Sequence, residues 1–224
     1  MSVGFPVDGW SPRPAFALDQ TLQGTHCKLV PLSLDYSEDL FQAYQTAPDQ
    51  DWWYLPIDKP KSTDELKAYL QTHLDSDRTP YVVIDNATGK PVGSCCTFRV
   101  DQNNGTMEIG FIAWSPKMQR TPLSTEAVFL QAQNAFNKGY RRVEWKCDSC
   151  NEPSKKAANR LGFTYEGTFR QAQVYKGRNR DTSWFSIIDS EWPELEKGFE
   201  KWLNNDNFDE NGKQKTPLHE GNRS

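Results

Sequence analysis

The spacing of apolar positions changes several times along the chain, and each change predicts an element. Residues 25–32 (THCKLVPL) predict a short strand. Over residues 35–46, Leu40, Phe41, Ala43 and Tyr44 fall on one side of a helix. Ser62 with Glu65 three residues later has the spacing of a capping box, in which each side chain accepts from an N–H at the helix start. Leu66, Tyr69, Leu70, His73 and Leu74 then mark the buried stripe of a second helix. Three extended stretches follow at 81–84, 92–100 and 107–114, separated by NATGK (86–90) and DQNNG (101–105). Both separators are rich in residues that favour turns, so an antiparallel meander is predicted.

A longer helix is predicted over 124–138, with Val128, Ala132, Ala135 and Phe136 on one face and Gly139 placed for a left-handed C-terminal cap. Residues 143–147 return as a strand. A strand reached from its predecessor through a single helix lies parallel to it, by a right-handed crossover. A short helix over 153–161 has Pro153 in its first turn and Gly162 past its end. Residues 164–174 and 180–188 flank KGRN (176–179) as a final hairpin. The predicted class is mixed α/β, a meander feeding one βαβ crossover.

The ends of the chain differ from its middle. Residues 1–20 are broken by Pro and Gly but carry Phe5, Trp10 and Phe16, which predicts an irregular arm packed on the rest. Residues 204–224 are polar and nearly without apolar residues, and a disordered tail is expected there. The remaining span, 21–203, has the size of one domain.

Composition narrows the partners. A net charge of −4 with scattered basic residues gives no stripe to follow a phosphate backbone, so no nucleic-acid partner is expected. No apolar run approaches the ~20 residues of a membrane span, and the N-terminus lacks the pattern of a secretory signal. The five cysteines (27, 95, 96, 147 and 150) are an odd set without that signal, which points to a reducing, cytoplasmic setting. Cys147 and Cys150 form a lone CxxC; His26, His73 and His219 have no matching spacing, so no metal site is expected. A small buried thiol at a strand end is favoured over a redox pair.

The strand-to-helix junction at 114–126 (WSPKMQRTPLSTE) is the candidate anion site. A helix start presents free N–H groups and a positive dipole end. Arg120, Lys117 and the Ser124 and Thr125 hydroxyls stand beside it.

These segments in this order resemble the GNAT N-acetyltransferases, in particular their ribosomal-protein-N-acetyltransferase-like (RimJ/RimL-type) branch. The resemblance runs from about residue 22 to 193. It rests on Leu22-Gln23-Gly24, the run Glu108-Ile109-Gly110-Phe111, Glu126-Ala127, and above all the spacing Asn151, Ser154, Ala158, Leu161-Gly162-Phe163, Glu166-Gly167, Arg170. Asp181 and the closing Asp189, Glu191-Trp192-Pro193 fit the family's last hairpin. The resemblance implies the GNAT fold: a mostly antiparallel twisted sheet with one central, splayed parallel strand pair, flanked by helices. It implies acyl transfer from acetyl-CoA, or another acyl-CoA, to a primary amine by direct attack. The acceptor implied is a small-molecule amine or a protein N-terminus, and a monomer or homodimer is expected. The alternative is a non-catalytic acyl-CoA-binding or scaffold protein on the same fold.

The same resemblance assigns the cofactor site to Phe111, Ile112 and Trp114 on the splayed strand, to Gln119, Arg120, Thr121, Leu123, Ser124 and Thr125 at the helix start, and to Asn151 beside the pantetheine arm. Pro122 and Ser124 stand where the family's phosphate loop has glycines, and proline removes an N–H donor. The family's tyrosine acid is replaced by Ala158, leaving Ser154 either to hydrogen-bond the departing sulfur or merely to cap its helix. Glu108 is the candidate base, and strand alternation puts Glu108, Gly110 and Ile112 on one face, opposite Met107, Ile109 and Phe111. Trp52, Trp53 and Tyr54 are candidate acceptor-binding residues. With Asp49, Asp51 and Asp58 they would suit a cationic amine; otherwise they fill core.

Overall fold

The computed structural model describes residues 3–210 and 212–218. Among them, eight strands form one sheet in the order β1-β2-β3-β4-β5-β6-β8-β7. In chain order the elements are β1 (Leu22–Gln23), β2 (Cys27–Pro31), α1 (Ser37–Gln45), α2 (Thr63–Leu74), β3 (Thr79–Asp85), β4 (Pro91–Asp101), β5 (Thr106–Trp114), α3 (Pro122–Asn137), β6 (Arg142–Asp148), α4 (Glu152–Arg160), β7 (Thr164–Tyr175), β8 (Arg178–Ile188) and α5 (Trp192–Leu203). The predicted meander is β3-β4-β5, antiparallel throughout, and β5 pairs parallel with β6. Ser62 caps α2 by accepting from the Glu65 N–H, and Gly139 takes φ +79° after α3.

One face of the sheet packs on α3, α4 and α5 through Met107, Ile109, Val143, Trp145, Ala127 and Phe199. The other packs on α1 and α2 through Val82, Ile84, Ala113, Leu40 and Leu66. Between β4 and β5 two bulges break the alternation. The register moves three residues on β5, Gly110 to Ala113, against two on β4, and Phe111 there has φ +51°. On β4 it moves three residues, Phe98 to Asp101, against two on β5, and Arg99 has φ +49°. An extra residue in one strand re-aims the side chains beyond it. The expected grouping is therefore corrected: Phe111 turns to the side of Glu108, packing on His73 and Phe98, while Ile112 joins the core under α3.

The N-terminal arm lies on the β4–β5 turn. Trp10 donates to the Asn103 carbonyl and sits so close to Gly105 that a Cβ there would meet the ring at 2.5 Å. Phe16 packs on Tyr140 with the rings tilted, whereas Phe5 is exposed.

The polar C-terminal segment is not a loose tail over its described part, which corrects that expectation. After α5, Asn207 is buried and holds both the Trp202 carbonyl and the Thr216 N–H. Phe208 meets Trp202 edge-on, and Leu218 enters the core. The few apolar residues were enough because α5 offers a ready surface, while the polar majority remains solvated. Deleting residues 204–224 should uncover Trp202 and cost roughly 2 kcal/mol of buried apolar surface, a fall in Tm of roughly 5 °C. A circular-dichroism melt checks this; an unchanged Tm would mean that the segment adds nothing to stability.

Candidate active site

The sheet opens at its centre. β5 and β6 pair only at Thr106–Arg142, Met107–Val143 and Glu108–Glu144, although β5 continues to Trp114 and β6 to Asp148. From Ile109 onward, among the described residues, no strand pairs with the β6-facing edge of β5. Backbone N–H and C=O groups on that edge are free for an extended ligand. Phe111, Ile112 and Trp114 all lie on this stretch of β5.

At the end of this slot stands the start of α3. Thr121 is its N-cap residue but makes no side-chain capping bond. Its hydroxyl donates instead to the Met118 carbonyl, and the Ser124 hydroxyl donates to the Thr121 carbonyl. First-turn N–H groups have no intrahelical partner, so those of Leu123 and Ser124 are available to an anion. Arg120 is exposed and takes φ +60°, the left-handed conformation that glycine adopts more easily. Thr125 is buried and accepts from Arg160 at 2.9 Å. Gln119 donates to Asp51 at 2.8 Å, tying the helix start to the segment between α1 and α2.

That start is anchored from behind. The buried Glu126 carboxylate accepts from the N–H groups of Thr25, His26 and Cys27 at 2.7, 2.7 and 2.6 Å. Gly24 allows the approach, since a Cβ there would meet the Glu126 carboxyl carbon at 2.5 Å.

On the α2 side of the slot lies a cavity of about 1280 Å³, bounded by α2, the β4 and β5 bulges, the β7–β8 hairpin and the loop at 54–61. Glu108 opens into it at the last paired position before the strands part. Its carboxylate contacts Lys146 Nζ at 2.8 Å and Arg99 Nε at 3.2 Å. Burial raises its pKa, and the two cations only partly oppose this, so it stays above the ordinary carboxylate value. Lys146 also contacts Glu144 at 2.7 Å and packs on the Trp184 ring at 3.6 Å. Although burial pushes Glu144 up, Lys146 and Arg142 hold it below its usual value. His73, on α2, is buried against Tyr69 and Phe111 and is lowered to about 4 by burial and the Arg78 guanidinium, so it is neutral at pH 7.

Ser154 lies elsewhere. It belongs to the first turn of α4, accepts from Trp145 Nε1 at 3.0 Å and contacts the Cys147 thiol. Trp145 and Cys147 face the α3 side of the sheet, so the slot separates Ser154 from Glu108. The cap of α4 is Asn151, whose Oδ1 accepts from the Ser154 N–H; Ser154 does not cap the helix.

The aromatic run divides. Trp52 is core, edge-on to Tyr44, and Trp53 is exposed outside the cavity. Tyr54 lines the cavity and donates to the Cys150 carbonyl at 3.0 Å. Cys147 is buried, Cys150 exposed, and both are free thiols. Burial pushes the Cys147 thiol up, away from the reactive thiolate that a redox pair needs. Among the described residues no three His, Cys, Asp or Glu side chains group as metal ligands, and no helix is long and apolar enough to cross a membrane.

Lys146, Arg99, Arg78 and Trp184 are site residues that sequence reasoning missed. Lys146 carried one signal, its place two residues from Glu144 on the same strand face; the register that sets it against Glu108 is tertiary.

A parallel strand pair that parts beside an uncapped helix start defines a class of enzyme, the acyl-CoA-dependent N-acyltransferases. The chain belongs to the GNAT acetyltransferase family, whose domain matches residues 27–164. It transfers an acyl group from acyl-CoA to an amine. The structure is similar to that of a GCN5-related N-acetyltransferase from Brucella melitensis, with 42% identity and a TM-score of 0.91 over 95% of this chain and 97% of that one. In sequence it is similar to an uncharacterized N-acetyltransferase, p20, of Bacillus licheniformis: 28% identity over 136 residues, 60% of this chain and 76% of the relative.

Proposed function

We propose that this chain acylates a primary amine by direct attack on acetyl-CoA, with Glu108 as the base. The observation that carries this is the position of Glu108, at the point where β5 and β6 part and on the floor of the cavity. Bound acyl-CoA supplies an activated thioester. Its pyrophosphate fits the α3 start, held by the N–H groups of Leu123 and Ser124 and by Arg120, with Gln119, Thr121 and Thr125 shaping the turn. Pro122 removes one donor, and the Arg120 guanidinium compensates. The pantetheine arm runs along Phe111, Ile112 and Trp114, with Asn151 on the α4 wall.

Glu108 receives the proton that the ammonium group must lose, directly or through a water. The amine nitrogen then bonds to the thioester carbon, the C–S bond breaks, and the second proton shed by the acylated nitrogen passes to the departing thiolate, which leaves as free thiol. Ser154, whose oxygen already accepts from Trp145, has its O–H free to turn from Cys147 to the departing sulfur. Tyr54 forms part of the acceptor wall; Trp52 and Trp53 take no part. The run Asn151, Ser154, Leu161-Gly162-Phe163 supports placement in the RimJ/RimL-type branch, and the five free cysteines support a cytoplasmic location.

Calorimetric titration with acetyl-CoA, followed by measurement of free thiol with an amine panel, tests the proposal. Arg120→Ala should weaken acetyl-CoA about 5- to 10-fold, the loss of one charge-assisted contact, while Glu108→Gln leaves that affinity unchanged. Equal affinity in Arg120→Ala would move the anion site elsewhere. Binding without thiol release would favour the non-catalytic acyl-CoA-binding alternative.

A further inference from the structure

The cavity beside Glu108 carries an excess of positive charge. Lys59, Lys61, Arg78, Arg99, Lys146 and Arg180 line it. Against them stand Asp58, Glu65 and Glu108, and each is already engaged. Asp58 pairs with Lys176 at 2.9 Å, Glu65 accepts from the Lys61 N–H at 2.8 Å, and Glu108 holds Lys146 and Arg99. The acidic residues expected to draw a cationic amine are thus spent on the fold. Asp51 is held by Gln119 and Asp49 lies 4.0 Å from Lys59.

Two guanidinium groups are left over. Arg78, at the α2–β3 connection, donates through Nη1 to the Thr72 carbonyl and to His73 Nδ1, and lies over the Phe111 ring at 4.1 Å. Arg180, on β8, donates through Nε to the Thr182 hydroxyl at 3.2 Å. Among the described residues neither has a carboxylate within 4.0 Å, although both are partly buried. Nε and Nη2 of Arg78, and both Nη atoms of Arg180, have no partner there. Guanidinium donors set among aromatic walls favour an anion that accepts two bonds at once. That anion is not the acyl-CoA pyrophosphate, because residues 119–125 take no part in the cavity wall.

We propose that the acceptor is a small amine bearing a carboxylate or phosphate, which Arg78 and Arg180 hold while the amine faces Glu108. This rests on the acyltransferase site proposed above and names its substrate class.

The test compares matched acceptors at saturating acetyl-CoA, reading thiol release. Amino acids are paired with their carboxamides, and aminoalkyl phosphates with the corresponding aminoalcohols, so the two arms tell carboxylate from phosphate. The anionic member of at least one pair should show kcat/KM about 10-fold or more above its neutral partner, the size of a lost charge-assisted bond. Arg78→Gln and Arg180→Gln should each shrink that preference, mainly through KM, with acetyl-CoA affinity unchanged by calorimetry. Neutral or polycationic amines used as well as anionic ones would overturn the proposal. So would a preference that survives both substitutions, or acetyl-CoA binding with no anionic amine acylated. Failure of the acyltransferase reading looks different, since wild-type protein would then give no heat with acetyl-CoA, and both proposals would fall.

Discussion

Glu108→Gln is expected to lower kcat by about 100-fold or more, the usual worth of a positioned general base, with acetyl-CoA affinity nearly intact. The substitution keeps the shape of the side chain and its contact with Arg99 and Lys146 but removes the proton acceptor. The pH profile separates this from a structural effect. Glu108 is raised above the ordinary carboxylate value by burial. Its ionised, proton-accepting form is lost as pH falls through that raised value, so kcat/KM should drop on the acid side. In Glu108→Gln that acid limb should vanish. Lys146→Met removes the nearer of the two cations that favour the ionised form, at 2.8 Å, so Glu108 rises further and the limb should move to higher pH. A limb that stays in place in both variants would exclude Glu108 as the base.

The second large effect is on stability. Glu126→Ala should cost about 3 kcal/mol or more, because three N–H groups lose a charged acceptor and that of buried Cys27 is left without a partner. Glu126→Gln should cost less. Its amide oxygen can replace the oxygen that serves His26 and Cys27, while the exposed Thr25 N–H can turn to water. Urea denaturation at constant m-value measures both. A change under 1 kcal/mol in Glu126→Ala would mean that water replaces the carboxylate without penalty. Since Glu126 sits one turn into α3, the Ala variant should also loosen the proposed pyrophosphate site.

Much of the scaffold was legible in local chemistry. Periodicity placed the meander, the crossover helix and the hairpin, because a half-buried element must repeat its apolar residues at its own period. Ser62 with Glu65 and Gly139 marked ends whose backbone requirements are local. The helix α5 was missed: Pro193 and the charged residues 194, 196, 197, 200 and 201 hide its stripe of Trp192, Leu195, Phe199 and Trp202. The segment after it was read as unstructured because composition reports average polarity, and a single Leu218 reaching the core does not change an average.

The family could be recognised from the spacing of residues 151–170, and Glu108 could be singled out from its strand. What surrounds Glu108 could not. The bulges at Arg99 and Phe111 add one residue to one strand but not to its partner, so they become visible only when the strands are paired. They turn Arg99 and Phe111 into the cavity, against strict alternation. The sequence thus determined most of the strands and helices, because their periods and caps are local. Tertiary structure alone decided which charges cancel and which remain. Asp58, Glu65 and Glu108 meet their partners across loops, helix starts and strand registers that no local pattern encodes, and Arg78 and Arg180 are left facing the cavity.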